Sequence, residues 1–336
     1  MKFLLLLAVL CQSSSPALVG AAPFAPDQYQ SDDGALLIEA NGDYVEPYFA
    51  TKALIVAQDT GLDVHEAAAD WIKWGLAHQK KDGRFERYCR KPGEDWRPCG
   101  AADADDSMLS LWLQLLYRMA PDSGLPAAWQ ASAQNAQSQL SRLRNGRLGV
   151  YRVSSRNHVP LFMDNVEVYS ALQDIARAKA RFGDEAGATA TAKEAAKLAS
   201  AIQHVFWSKR AHWYRSSMQN HQPGFYPDVV AQVYPWLAGL SGPGQEIGAA
   251  WKEWKDRFGQ EWLNSTSDPH PWGLVALAAL QTGDNSVVMC WLTRSESLRY
   301  SSHWNILEEA IFQALDSKFE RQRLADASAC SRVLRR

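Results

Sequence analysis

Carboxylates recur in this chain just ahead of apolar segments. Glu46 stands in Tyr44-Val-Glu-Pro-Tyr48, and Asp103, Asp105 and Asp106 stand in Ala101-Ala-Asp-Ala-Asp-Asp-Ser107. Asp164 and Glu167 stand in Met163-Asp-Asn-Val-Glu-Val-Tyr169, Asp228 follows Tyr226-Pro227, and Asp268, His270 and Trp272 share Ser267-Asp-Pro-His-Pro-Trp272. Carboxyl groups gathered beside aromatic rings are what glycosidic-bond cleavage needs. One protonates the departing oxygen, a second activates water or attacks the sugar, and others hold hydroxyls. A plainer role competes at each position, because Asp is a favoured N-cap and a carboxylate in the first helical turn meets the positive end of the helix dipole. Asp164-x-x-Glu167 also fits a capping box. Three acids within 103–106 exceed what one cap requires. That run lacks the spacing and glycine of an EF-hand, so calcium is the weaker reading and no metal is expected.

These acids can act together only if the elements behind them bring them to one place. Apolar periodicity predicts twelve helices, over 46–60, 64–80, 105–119, 126–143, 165–181, 185–207, 228–239, 245–258, 271–282, 285–298, 304–316 and 318–334. Odd members are apolar nearly all round, as in Met108 to Met119 and Leu274 to Leu280, and must be covered on every side. Even members carry one stripe, as in Trp129, Ala133, Ala136, Leu140 and Leu143. Six hairpins of a buried inner and a wet outer helix describe an all-α (α/α)6 barrel. The acids at the inner-helix starts would then converge at one rim. Segments 147–163 and 208–226 read as short β-hairpins at that rim, and residues 22–43 as an extended arm ahead of a single domain spanning 44–336.

Composition bounds the class. Lys2 and the apolar run Phe3 to Leu10 read as a secretion leader, with small residues Val19-Gly20-Ala21 ahead of Pro23 placing the cut after Ala21. Removing 21 of 336 residues leaves 315. The expected location is therefore secreted or periplasmic. With 35 basic and 37 acidic residues, the charge balance argues against a nucleic-acid partner. No later apolar run reaches the roughly 20 residues of a spanning helix. Cys89 and Cys99 flank a loop rich in Pro, Gly and charge and form the natural first bridge, with Cys290 and Cys330 the remaining pair; four free thiols are the alternative. No CxxC, HExxH, phosphate loop or GxSxG occurs, and no cofactor is expected. The 14 Trp exceed the 11 Phe and 11 Tyr, and indoles stack well on the apolar face of a pyranose. Trp71, Trp129, Trp251 and Trp254 read as core, whereas Trp96, Trp213, Trp272 and Trp304 fall at the expected rim.

The acid-aromatic start of the first inner helix and the Asp-Ala-Asp run opening the second resemble the six-hairpin glycosidases, and within them glycoside hydrolase family 8, the cellulase and chitosanase group. The resemblance implies that Glu46 is the general acid, that Asp103 to Asp106 supply a sugar-binding Asp, and that Asp228, after Tyr226-Pro227 and upstream of Pro235-Trp236, is the base. The sequence departs from the family in having Val45 and Pro47 around Glu46 and Gln232 where an Arg is expected. Met163-Asp-Asn-Val-Glu-Val-Tyr169 also resembles the unsaturated glucuronyl hydrolases, which makes Asp164 a rival acid or base.

The expectation is an exported, endo-acting, inverting glycoside hydrolase, monomeric, acting on a polysaccharide. Its catalytic candidates are Glu46, Asp228 and Asp164. Its sugar-binding candidates are Asp103, Asp105, Asp106, Glu167, Tyr44, Tyr48, Tyr226, Trp272, His270 and Trp304. Inversion requires the two carboxyl groups about 6.5–9.5 Å apart, against roughly 5–5.5 Å for retention. Two other readings stay open: a polysaccharide lyase using Arg152, Asn157 and His158, and a glycan-binding protein without catalysis. Arg84, Arg87, Arg90, Arg152 and Arg156 hint at an anionic glycan, though a solvated face explains them equally.

Overall fold

The structure is a computed structural model that describes residues 21–240 and 242–325, together with Cys330 and Val333. The leader expected over 1–21 lies, but for its last residue, outside the described residues. In chain order the elements are β1 (Tyr44–Val45), α1 (Pro47–Asp59), α2 (His65–His78), β2 (Glu86–Cys89), β3 (Arg97–Ala101), α3 (Asp105–Met119), α4 (Ala127–Leu143), α5 (Phe162–Arg181), α6 (Glu185–Phe206), β4 (Trp207–Ser208), β5 (Trp213–Tyr214), α7 (Val233–Leu237), α8 (Ile247–Leu263), α9 (Gly273–Gln281), α10 (Asn285–Ser295) and α11 (Ile306–Ala325).

The odd helices form a closed cycle: α1 packs on α3, α3 on α5, α5 on α7, α7 on α9, α9 on α11, and α11 back on α1. Even helices lie outside them, α4 against α3, α6 against α5 and α10 against α9 and α11. This is the (α/α)6 barrel expected from the alternation of all-round and one-sided apolar helices. A small cavity of about 100 Å³ is lined by residues of five inner helices, among them Ile55, Leu111, Val166, Leu237 and Leu274. The far end of the first three inner helices is tied by ions and amides. Arg118 Nη1 donates to Asp59 Oδ1 at 2.6 Å, and Gln114 Nε2 donates to Asp174 Oδ2 at 2.5 Å.

Four expectations need correction. Eleven α-helices, not twelve, stand among the described residues, because 304–316 and 318–334 are not separate: α11 runs unbroken through Asp316-Ser317. Neither residue breaks a helix, and there is no Gly or Pro between Ile306 and Ala325 to stop it. The helix expected over 228–239 is only Val233–Leu237, preceded by wide and tight turns over Phe225–Gln232; Pro227 and Pro235 each remove a backbone donor there. Segment 147–163 makes isolated bridges from Tyr151 to Arg144 and from Leu161 to Ser217 rather than a hairpin, whereas β4 and β5 do pair within or beside the expected 208–226 segment. Trp304, expected at the rim, is 1% exposed; its Nε1 donates to Glu309 Oε2 at 3.0 Å and its ring packs edge-on to Phe312.

The place of a sixth outer helix over α11 is taken by the arm. Phe24, Tyr29, Leu36 and Leu37 are buried. Ala25 N donates to Gln313 Oε1 at 3.0 Å and Gln313 Nε2 returns a bond to Ala25 O at 2.8 Å. Ile306 N donates to Ile38 O at 3.0 Å, and Phe24 N to Asp63 O, just before α2, at 2.8 Å. β1, β2 and β3 form an antiparallel sheet at the rim, with Tyr44 opposite Cys89 and Glu86 opposite Ala101. Disulfides join Cys89 to Cys99 across this sheet, Cα–Cα 5.8 Å, and Cys290 to Cys330, Cα–Cα 4.3 Å. No helix among the described residues is long and apolar enough to cross a membrane.

Candidate active site

The first three inner helices bring their opening acids to the same rim. Pro47 opens α1 with Glu46 just ahead of it. Asp105 and Asp106 open α3, and Asp164 lies in the first turn of α5 with Glu167 one turn on. The N-cap residues Glu46, Ala104 and Leu161 make no side-chain cap bond. Of these acids, only Asp106 takes a first-turn amide, that of Ser107. The start of α5 is pinned instead by Asn165, whose Oδ1 accepts Tyr151 N at 2.6 Å and whose Nδ2 donates to Tyr151 O at 3.0 Å.

Glu167 is the buried centre of the group. Its Oε1 accepts from Tyr48 Oη at 2.8 Å and pairs closely with Lys52 Nζ, while its Oε2 accepts from Ser107 Oγ. Lys52 also donates to Tyr48 Oη at 2.8 Å and Tyr234 Oη at 3.1 Å. Burial disfavours the Lys52 ammonium, but Glu167 and Tyr234 outweigh it and raise its pKa to about 12. A charged pair at this depth is tolerated because every partner is hydrogen-bonded.

Asp106 and Asp164 stand beside this pair in a different state. Asp106 Oδ1 accepts Ser107 N at 3.0 Å, but its Oδ2 is buried with no partner among the described residues, and so is Asp164 Oδ2. Burial, with the charges of Glu167 and Asp105, pushes Asp106 up to about 7. Burial, with the charges of Asp106, Glu167 and Asp103, pushes Asp164 well above the usual carboxylate range. Desolvation and like charge both favour the protonated form. The protonated form is the one that can give a proton away.

Glu46 is 1% exposed. Arg87, on β2, pairs with its Oε2, and Asp103 N donates to its Oε1 at 3.3 Å. Burial raises its pKa, against the pull of Arg87. The Asp103 side chain is 53% exposed, the open carboxylate of the group, with Arg87 Nη2 at 3.5 Å. Asp105 is buried, and burial raises its pKa against the pull of Arg84. Among the described residues no group of three or more His, Cys, Asp and Glu is gathered as metal ligands.

The aromatic candidates divide. Tyr226 is 48% exposed and stacks on Trp272, ring centroids 4.7 Å apart and 9° from parallel. Burial of its hydroxyl, then Tyr234, Asp103, Asp164 and Glu167, raise its pKa, so that hydroxyl lies among the acids. Tyr44 is raised by burial and by Glu46. His270 accompanies Trp272 at 5.7 Å and is tied to Asp268 at 2.9 Å. Asp228 has its own set of partners. Its carboxylate accepts from Ser216 Oγ at 2.6 Å and Gly224 N at 3.0 Å and pairs with His221 Nε2 at 2.9 Å, and these bonds outweigh burial to lower its pKa. It clasps the 216–228 loop. Gln232 fastens the same loop through Tyr214 N and O at 3.0 and 2.8 Å.

Lys52, Ser107, Tyr234 and Glu308 were not among the site candidates read from the sequence, and Arg87 was read only as a hint of an anionic glycan. The signals available were a Lys one turn after Tyr48 in an all-apolar helix, and an Arg opposite the first acid. The side chains named for a lyase stay within their own loop: Arg152 Nε bonds Leu143 O at 3.3 Å, and His158 Nε2 meets Ser155 O at 2.9 Å. Of the arginines that hinted at an anionic glycan, Arg87 is engaged by Glu46 and Asp103, Arg84 by Asp82, and Arg90 lies over Trp96 at 4.3 Å.

No family model matches the chain, and no curated protein matches it. Solved structures do. A wild-type glycosidase is similar over 88% of this chain and 94% of its own, with TM-score 0.57 and 11% identity. A glycoside hydrolase family 63 mannosylglycerate hydrolase from Thermus thermophilus, in complex with glucose, is similar over 87% of this chain and 97% of its own, with TM-score 0.53 and 11% identity. A rhamnosidase from Klebsiella oxytoca with rhamnose bound matches 82% of this chain but 57% of its own, with TM-score 0.53 and 14% identity. At these identities the likeness establishes the six-hairpin helical fold.

Proposed function

We propose that this chain is a glycoside hydrolase in which Asp164 is the general acid and Asp103 the base. The observation that carries the reading is the pairing of a buried carboxyl lacking a partner at Oδ2, whose surroundings favour its protonated form, with a solvent-open carboxylate whose charge it feels. The Asp164 hydroxyl gives its proton to the departing glycosidic oxygen as the C1–O bond breaks. Asp103 takes a proton from the water that forms the new C1–O bond. Glu167 and Asp106 keep Asp164 protonated, and Lys52 holds Glu167 in place.

Glu46 and Asp228, the pair that the family 8 likeness implies, are given other work here: Glu46 is sealed under Arg87, and Asp228 clasps a loop. Export from the cell is supported by the leader and by two disulfides. Endo action on a polysaccharide, with inversion, is the finer form of the proposal. Reducing-end release from a polysaccharide panel tests it, with Asp164→Asn, Asp103→Asn, Glu46→Gln and Asp228→Asn compared. Loss confined to the last two would overturn the assignment. Proton NMR of the first-formed anomer decides between inversion and retention.

A further inference from the structure

Trp272 is held where a bulky residue does not belong. Its φ of 47° and ψ of 62° are left-handed, a conformation that strains the backbone of a non-glycine residue. Its Nε1 is buried with no acceptor among the described residues, a second cost. Such a placement persists only when its surroundings over-determine it, and three side chains do so. Trp262 Nε1 and Trp291 Nε1 both donate to Pro271 O, at 2.7 and 2.8 Å. Glu308 Oε2, reaching from α11, accepts Gly273 N at 2.8 Å. A Cβ at residue 273 would stand 2.6 Å from that same Oε2 and 3.0 Å from Trp291, so only glycine admits the carboxylate so close. The backbone on both sides of Trp272 is thereby fixed.

One contact offsets these costs: the indole stacks flat on Tyr226, a half-exposed ring whose hydroxyl feels the charges of Asp103 and Asp164. A flat, supported aromatic face beside carboxylates suits the C–H face of a pyranose. We propose that Glu308 is a positioning residue for carbohydrate: by holding Gly273 it fixes Trp272 under Tyr226, and the outer face of Tyr226 stacks a sugar ring next to Asp103 and Asp164. The sugar class follows from this: a pyranose presenting an unobstructed C–H face. The proposal rests on the hydrolase reading for where the scissile bond lies, but not for the stacking itself.

The test measures hexasaccharide binding by tryptophan fluorescence, and turnover, with cellohexaose, mannohexaose and a chitosan hexamer. Tyr226→Ala should raise Kd and KM about tenfold with kcat within about threefold of wild type, in line with the loss of one stacked ring. Glu308→Leu should do the same, and the double variant should bind no worse than Tyr226→Ala alone, because Glu308 acts through the platform. Glu308→Gln keeps an acceptor for Gly273 N and should restore binding to within about twofold. Trp272→Gly adopts the left-handed backbone freely, and so keeps the fold while removing the support; it should weaken binding as Tyr226→Ala does. If Glu308→Leu does not fold, Trp272→Gly and Glu308→Gln still decide. The proposal is overturned if Trp272→Gly binds as wild type, if Glu308→Leu lowers kcat with KM unchanged, if the two losses multiply, or if wild type binds none of the three sugars. Full turnover by Asp164→Asn with this binding pattern intact would instead sink the hydrolase reading and leave the platform standing.

Discussion

Arg87, on the second strand of the disulfide-closed sheet, lays its guanidinium against the Glu46 carboxylate at the mouth of α1. Burial alone would push Glu46 further toward its neutral form, and Arg87 opposes this. Arg87→Met should therefore raise the Glu46 pKa and destabilise the protein by about 1–3 kcal/mol, the partly exposed Arg bringing the cost below that of a fully buried pair. Adding Glu46→Gln should recover part of the loss in urea unfolding. A double variant no more stable than Arg87→Met would show that the pair is not what holds the sheet to the helix.

In the proposed mechanism Asp164 gives the proton and Asp103 accepts one from water. The raised pKa of Asp164 keeps its proton available to higher pH, so kcat/KM should fall as pH rises through that value. Asp164→Asn should lower kcat about 10²–10⁴-fold, the usual contribution of a general acid, and the residual rate should lose the alkaline fall. A profile that keeps the fall in Asp164→Asn assigns it to another group.

Asp106 binds a proton far more readily in the folded chain, at about 7, than a free Asp side chain does at its usual 3.8. A raised folded-state pKa stabilises the fold at low pH, and the gain is lost as pH rises through about 7. Buried Glu308, also raised to about 7, adds in the same direction. Melting temperature should fall from about pH 4, where the unfolded carboxyls ionise, to about 7, where the folded ones do, and flatten above that. Asp106→Asn, which mimics the protonated side chain, should flatten the fall. An unchanged slope in that variant would show Asp106 ionised in the fold.

Lys52→Met should cost about 3–5 kcal/mol, since it leaves Glu167 buried without its cation. Combining it with Glu167→Gln should be milder than Lys52→Met alone, as equilibrium unfolding would show. Equal losses in the single and double variants would mean that the charge on Glu167 is not the origin of the cost.

The ring was legible because burial leaves a mark in apolar periodicity. Met108 to Met119 and Leu274 to Leu280 could only be inner helices. The break assumed near residue 317 was not legible as false. Sequence pattern shows where a stripe changes face, but a helix stops only at a residue that ends it, and none stands there. Trp304 was misplaced for a related reason: preceding an inner helix puts a residue near the rim in sequence, but its Nε1 found Glu309 inside. The acids were visible as a class, since their spacing follows the helix starts. Their division of labour was not. Whether Asp228 serves chemistry or a loop depends on Ser216, Gly224 and His221, which turns alone bring to it. Glu308 carried no signal at all, because its partner is a backbone amide 35 positions away.

The arm over α11 bears on how the chain folds. Ala25 and Gln313 are 288 positions apart, yet each supplies a donor and an acceptor to the other. Synthesis runs from the N-terminus, so Ala25 and Ile38 exist long before Gln313 and Ile306, the α11 residues they bond. Contacts of such long separation form late and leave apolar surface uncovered meanwhile. The first hairpins can assemble as neighbours while the outermost layer stays unfinished, its last piece made first and waiting for the far end of the chain.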